Sequence, residues 1–505
     1  MKFAISSVIL GFLSVLLLSG CSTPIGRQNA QKTPDMDKIW SNWDDRTVFS
    51  SGLISTEQET LKQLSGASIY HIEIWIAEDL TSLKGQEEVR FTNQETSALD
   101  SVCFQLYPNQ LGGKVTVSDV TVNGLVVQLE YLEDDSAICL ALTTPLQPAE
   151  KLLIKMKFEV EVPTEGGGNY GLFAVIDNIL ALDGFYPMIP AYDDQGWHAG
   201  PLPANADTTY NDVSFYLVRV TAPDELVMVT SGVEVANNKS YNQQEVFFAA
   251  GPARDFYIAA SPDFVKVSRT IGETTVNSYT FSEWQKGAEK ALTVAVEALE
   301  NFNKRYGDYP YTEFDVASTP MQGAIGIEYP GVIGITRLAY DPDQTISGAP
   351  AFVILETTIA HEVGHQWFYN TVGNDQKNEP WLDESLTQYI TSMYFLDEYG
   401  ENGMSQYQET WFNRWNRVNQ EEIPIGKPAA EYQGPEYSAI VYGRGPIFLQ
   451  ELADMMGQEV FDALLLDYAQ TFQWQVSTTA DFKQLAEEHC QCDLTALFEE
   501  WVYLK

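Results

Sequence analysis

Histidine and cysteine are scarce in this chain, five of each in 505 residues. Besides Cys21 the cysteines are Cys103, Cys139, Cys490 and Cys492, too few for a disulfide framework at this length, and the sequence leaves their pairing open. His489-Cys490-Gln491-Cys492 lacks the fourth ligand and the second paired motif that a structural metal cluster needs. Basic residues are also few: 29 Lys and Arg against 70 Asp and Glu give a formal charge of −41. A chain so acidic repels polyanions and offers no cationic footprint, which excludes nucleic acid as a partner and makes the charge a solubilising exterior. After Leu18 no apolar run is long enough to span a bilayer.

What is present suits a secreted, multidomain protein. The length predicts two or three domains, and 45% apolar with 12% aromatic residues can fill sizeable cores. Lys2 followed by the apolar stretch Phe3 to Leu18 reads as a secretion signal. Leu18-Ser19-Gly20-Cys21 resembles the bacterial lipobox, in which cleavage before the cysteine leaves a lipidated N-terminus; an ordinary signal peptide with an incidental cysteine is the other reading. Residues 1–21 are thus expected to be signal and anchor, and 22–64 a polar tether with a short helical lead-in. The remainder is expected outside the cytoplasm, lipid-anchored to the bacterial cell membrane through Cys21.

Residues 65–265 read as an all-β, sandwich-like domain. In "IYHIEIWIAEDL" Ile72, Ile74 and Ile76 share one face, with His71, Glu73 and Trp75 on the other, and turn pairs such as Asn123-Gly124 recur between similar runs. His71 is expected to be a plain strand residue, and His198 a loop residue with no assignable role. After about Val265 the period becomes helical: "SEWQKGAEKALTVAVEALENFNKRYG" ends at a glycine with proline soon after. Helices then dominate 266–505, interrupted by the strand-like "QGAIGIEYPGVIGIT".

Two of the five histidines fall in "HEVGHQWFYNTVGNDQKNEPWLDE". The stretch from Ser347 to Asn370 reads as one helix, with Leu355, Ile359, Val363 and Trp367 on a core-facing stripe and His361 and His365 stacked on the opposite face. Two neutral imidazoles four residues apart can bind one zinc ion, and Glu362 can reach a water there without being a ligand. Glu384, from a second helix starting near Pro380, supplies a third ligand and leaves a position open for water, whose pKa zinc lowers toward about 7.

These residues resemble the aminopeptidase N-like gluzincins, the membrane alanyl aminopeptidases: H-E-x-x-H, eighteen intervening residues and a glutamate in Trp381-Leu382-Asp383-Glu384. The resemblance extends upstream through "GFYPMIPAYDDQGWH" and "ARDFYIAASPDF", covering most of residues 65 to 455. It implies a thermolysin-like α+β, mostly helical, zinc-peptidase domain, one zinc per chain on His361, His365 and Glu384, and Glu362 as general base. It places the family's catalytic tyrosine on Tyr442 in "EYSAIVYGRGPIFLQEL", assisted by Tyr437, as the donor to the oxyanion.

"GAIGIEYPG" stands where the family has a glycine, any residue, then Met-Glu-Asn; here Ile327 replaces the methionine and Tyr329 the asparagine. By that resemblance Gly326 lets an extended substrate approach the strand, and Glu328 meets the substrate's α-ammonium. A solvent-facing residue on an edge strand is the alternative for Glu328. About sixty residues follow Tyr442, fewer than the large helical domain of many relatives, so a more open cleft is expected.

The activity implied is removal of N-terminal residues from extracellular peptides, failing at low pH as the ligand imidazoles protonate. A zinc endopeptidase and a non-catalytic peptide-binding surface lipoprotein are the alternatives. Glu328 discriminates the first, and completeness of the site argues against the second. The sequence does not decide the oligomeric state.

Overall fold

The lead-in helices, the alternating strands and the later helical periodicity each take up a separate layer. The computed structural model describes residues 36–166, 169–203 and 209–503. The signal segment and Cys21 lie outside the described residues. Ile72, Ile74 and Ile76 turn into a β core, as their alternation predicts. Their strand, Ile69–Ile76, is central in an eight-stranded sheet, pairing antiparallel with Ser82–Thr92 and parallel with Ser214–Pro223. A three-stranded sheet of Leu99–Gln105, Ala137–Leu146 and Leu129–Tyr131 contributes Val102, Phe104, Ile138 and Leu140 to the same core. Cys103 and Cys139 face each other across that small sheet and form a disulfide.

The opposite face of the central strand is not free. His71 stacks on Trp43 with ring centroids 3.8 Å apart and touches Trp40 at 4.8 Å. Residues 36–64 lie over this face, so His71, a strand residue on the side its alternation assigns, is also buried, and burial beside Arg90 pulls its pKa down to about 3. The lead-in then crosses to the C-terminal half. Ile54 N–H donates to Pro310 O (3.0 Å), Thr312 N–H to Gly52 O (3.0 Å) and Gln473 Nε2 to Glu57 Oε2 (3.0 Å).

A five-stranded sheet in the order Phe264–Ile271, Thr274–Phe281, Glu313–Thr319, Val332–Thr336, Gly326–Tyr329 begins the C-terminal half, with Gly326–Tyr329 on its edge. Helix Gln285–Tyr306, ended by Gly307 at φ 98°, packs on that sheet and on helix Ala351–Gly364. Between the halves a smaller apolar cluster joins Ile179, Val229, Tyr257 and Ala259 to Ala317, Ile327, Tyr329 and Val332, with Tyr257 stacked on Tyr329 at 3.8 Å. This contact seats the β half directly behind the edge strand that carries Glu328. No helix among the described residues is long and apolar enough to cross a membrane.

Candidate metal centre

Helix Ala351–Gly364 is set by its apolar stripe: Leu355, Ile359 and Val363 are fully buried in the main core. The helix stops at Gly364, with His365 as its cap, earlier than the expected continuation to Asn370. The cause is tertiary. Arg254 Nε donates to Tyr369 O (2.6 Å) and Asn370 O (3.0 Å), and Tyr369 has φ 136°, outside helical backbone. Trp367 nevertheless stays buried, so the apolar period runs past the helix that it implied. Helix Trp381–Trp415, broken at Gly400, starts immediately after Pro380 and delivers Glu384 from its first turn.

The three candidate ligands converge. Glu384 Oε2 lies 3.2 Å from His361 Nε2 and 3.6 Å from His365 Nε2, and the two Nε2 atoms are 3.2 Å apart. Ligands held at zinc bond lengths in a tetrahedron stand roughly 3.3 Å from one another. Two imidazoles and a carboxylate suit zinc better than the all-oxygen shells of magnesium or calcium. All three are buried, with His365 only 1% exposed. Burial holds the His361 pKa at about 4; for His365, burial is outweighed by Glu328, Asp383 and Glu384, which hold it well above its usual value. Burial opposes ionisation of Glu384 too, but hydrogen bonds with both imidazoles pull its pKa down.

Around these ligands stands an outer ring that the sequence did not disclose. Asp383 Oδ1 lies 2.7 Å from His365 Nδ1, close enough for an ion pair although poorly aligned as a hydrogen bond. Its signal was its place beside Glu384 in the Trp-Leu-Asp-Glu segment. Gln388 Nε2 stands 3.5 Å from His361 Nδ1, and the Tyr407 hydroxyl donates to Gln388 Oε1 at 2.7 Å. Such partners fix the ring orientation and raise the basicity of ligand imidazoles.

Glu362, Glu328 and His365 bring one polar atom each to within 4.8 Å of one another. Gly326 is required where the edge strand meets the helix, because a side chain there would collide with Glu362 Oε1 and Thr358. Glu328 is 4% exposed, which removes the solvent-facing alternative; Gln376 Nε2 lies 3.5 Å from its Oε1. Tyr442, far along the chain, arrives on a one-turn π-helix, Ile440–Arg444, a form frequent at functional sites. Its hydroxyl donates to Glu384 Oε1, its ring lies 6.1 Å from that of His361, and Arg414 sits over it at 5.3 Å. Tyr437 packs edge-on against it at 5.9 Å.

The structure therefore gathers Gly326, Glu328, His361, Glu362, His365, Glu384, Tyr437 and Tyr442 in one place. It leaves out the C-terminal cysteines: Cys490 and Cys492 form a disulfide, and His489 pairs with Asp467 at 2.9 Å. His198, given no role from sequence, bonds Asp193 at 2.6 Å and approaches Asp375 of the C-terminal half at 3.8 Å.

The profile of the peptidase family M1 domain matches residues 290–501. Among curated proteins, aminopeptidase N of Canis lupus familiaris is 24% identical over 78% of this chain and 42% of its own length; aminopeptidase 2 of Candida albicans is 20% identical over 92% and 50%. The chain thus spans about half the length, or less, of these curated relatives. Among solved structures, an M1 zinc metallopeptidase from Deinococcus radiodurans superposes with a TM-score of 0.65 at 17% identity, over 86% of this chain and 94% of that one. Its fold is the same two-part arrangement of β layers followed by a helical half. Residues 290–501 thus match a peptidase family M1 domain, and the chain shares the fold of the M1 zinc metallopeptidase it superposes on.

Proposed function

We propose that the protein is a zinc-dependent aminopeptidase that removes N-terminal residues from peptides. The observation that carries this reading is the buried Glu328 carboxylate, which lies beside Glu362 and His365. A zinc ion on His361, His365 and Glu384 would supply Lewis acidity toward the scissile carbonyl and a water acidic near neutral pH. The residues of the chain do the rest. Glu362 accepts the proton of the attacking water and passes it to the departing amine, so hydrolysis closes with one new carboxylate and one free amine. Tyr442 turns its hydroxyl from Glu384 toward the oxyanion, an adjustment within reach of a phenol already at the site. Tyr437 braces that ring, and Gly326 opens the edge strand to an extended peptide. Glu328 receives the substrate's α-ammonium, which a buried carboxylate binds strongly when little water competes.

The deciding experiment uses matched peptides with free and acetylated N-termini, together with zinc content per chain. Release of N-terminal residues from the free peptide alone, at one zinc per chain and abolished by Glu362→Ala, supports the reading. Equal cutting of both peptides assigns an endopeptidase; zinc with no hydrolysis across a substrate panel assigns a peptide-binding protein.

The Leu18-Ser19-Gly20-Cys21 motif supports a second proposal, that the protein acts outside the cytoplasm on a lipid anchor at Cys21. Membrane-bound protein whose first peptide begins at a lipid-modified Cys21, against release of a Cys21→Ala variant, is the expected result.

A further inference from the structure

Helix Trp381–Trp415 delivers Glu384 from its first turn and brings Arg414 back to the same site from its last. An unbroken helix would carry Arg414 about 45 Å from Glu384, at roughly 1.5 Å per residue; the break at Gly400 turns the chain back. The returning end packs closely on the π-helix Ile440–Arg444. A side chain at Gly443 would meet Trp411 O at 2.9 Å, Trp415 N at 3.0 Å and Arg414 Cβ at 3.1 Å, so the glycine is what lets these segments touch. Arg414 then lies over the Tyr442 ring at 5.3 Å, and its Nη1 donates to Ser438 Oγ at 3.2 Å. Ring and hydroxyl together hold the guanidinium on the Tyr442 side of the metal centre.

What this cation lacks is an anion. Lys427 belongs to the same row of rings, over Tyr432 at 5.2 Å, and it pairs with Glu436 at 3.4 Å. Tyr432 meets Tyr437 at 5.6 Å, and Tyr437 leads on to Tyr442. Arg414, at the other end of the row, has no carboxylate within ion-pair distance among the described residues, in a chain with 70 acidic side chains. A guanidinium has five N–H donors, and a serine hydroxyl takes only one of them here. The residue is half-buried, and none of its nitrogens is both sealed from solvent and unbonded, so the spare donors open outward. Such a planar fork matches a carboxylate.

The position selects which carboxylate. Glu328 stands at the His365 end of the ligand set, within 4.8 Å of His365 and Glu362. Tyr442 stands at the other end, bonded to Glu384 and with its ring 6.1 Å from that of His361. A peptide whose ammonium meets Glu328 and whose scissile carbonyl meets the metal runs on toward Arg414. The guanidinium lies one ring beyond His361, a span that two or three residues of extended chain cover at about 3.5 Å each.

We propose that Arg414 is a substrate-binding residue that takes a carboxylate of the peptide two or three residues beyond the scissile bond. The proposal rests on the aminopeptidase reading for the direction in which the peptide lies. The C-terminus of a tri- or tetrapeptide supplies such a carboxylate, and an acidic side chain at the same place presents the same group. Because the chain as a whole, at a formal charge of −41, repels an anionic substrate end, a local cation decides whether that end is accepted.

The test uses the full zinc-loaded chain in a Glu362→Gln background, where bound peptides are not cut. X-Ala-Ala and X-Ala-Ala-Ala, with X varied over all residues, are titrated calorimetrically as free acids, as C-terminal amides, and as amides with Glu in the last position. A carboxylate-bearing form should bind about tenfold tighter than the plain amide. Preference for the free acid assigns the C-terminus as the source, and preference for the Glu amide assigns the side chain. In Arg414→Met the preference should fall to within about twofold while the plain amide keeps its affinity; Arg414→Lys, which keeps the charge without the fork, should hold about threefold. No preference in the parent, a preference that survives Arg414→Met, or a loss shared equally by acid and amide overturns the proposal. N-acetylated twins judge the aminopeptidase reading separately: twins bound as tightly as the free amines overturn that reading, while the ratio of acid to amide still decides the role of Arg414.

Discussion

Two buried glutamates sit in opposite circumstances. Glu87 lies within the β half, 1% exposed, with neither carboxyl oxygen hydrogen-bonded; burial raises its pKa well above the ordinary range and so favours the neutral acid. Glu384 is as deeply buried, yet two imidazoles and a phenol hydroxyl surround it and hold it ionised. Burial sets the cost of a charge, and neighbours decide whether the charge is kept. A carboxylate can serve as a metal ligand only in the second setting. Replacing an acid by its amide should therefore be ruinous in one place and helpful in the other.

The largest expected effect is at Glu362. Glu362→Gln should lower peptide hydrolysis by about 10³- to 10⁴-fold while zinc, measured by elemental analysis, remains near the parent value. Loss of zinc in that variant would instead make Glu362 part of the ligand set. Glu384→Gln should weaken zinc binding by more than about a hundredfold in a chelator competition, beyond what outer-ring losses produce. Asp383→Asn, which leaves His365 without its 2.7 Å partner, should cost about 10- to 100-fold in the same assay; an unchanged affinity would deny Asp383 any hold on the imidazole.

The smallest effect has the opposite sign. Because the folded-state pKa of Glu87 lies above its unfolded value, the stability it allows is complete below about pH 4.5 and is lost as pH rises through the folded value. Glu87→Gln should match the parent near pH 4 and exceed it by about 1–3 kcal/mol at pH 8 in denaturant unfolding. A difference independent of pH would show that Glu87 is charged in the fold.

The sequence disclosed what depends on short spacing. His361 and His365 are one turn apart, and Glu384 heads a helix whose start Pro380 marks, so the ligand set needed only local periodicity and one motif. Tyr442 needed the family resemblance, because a single tyrosine among 26 carries no pattern of its own. The early end of the histidine helix was hidden because it is imposed by Arg254 from another part of the chain. The burial of His71 was hidden for a similar reason: alternation assigns a residue to a face, but only the packed lead-in shows that this face is covered.

The lead-in has a mechanical consequence. Trp40 and Trp43 grip the β half, whereas Gly52, Ile54 and Glu57 bond to the C-terminal half. Tension entering at residue 36 would be shared between the halves instead of prying them apart, and would load the aromatic stack before it reached the hydrogen bonds behind it. Under the anchor proposed at Cys21, the strap would act as a strain relief, taking up tugs while the cleft keeps its shape.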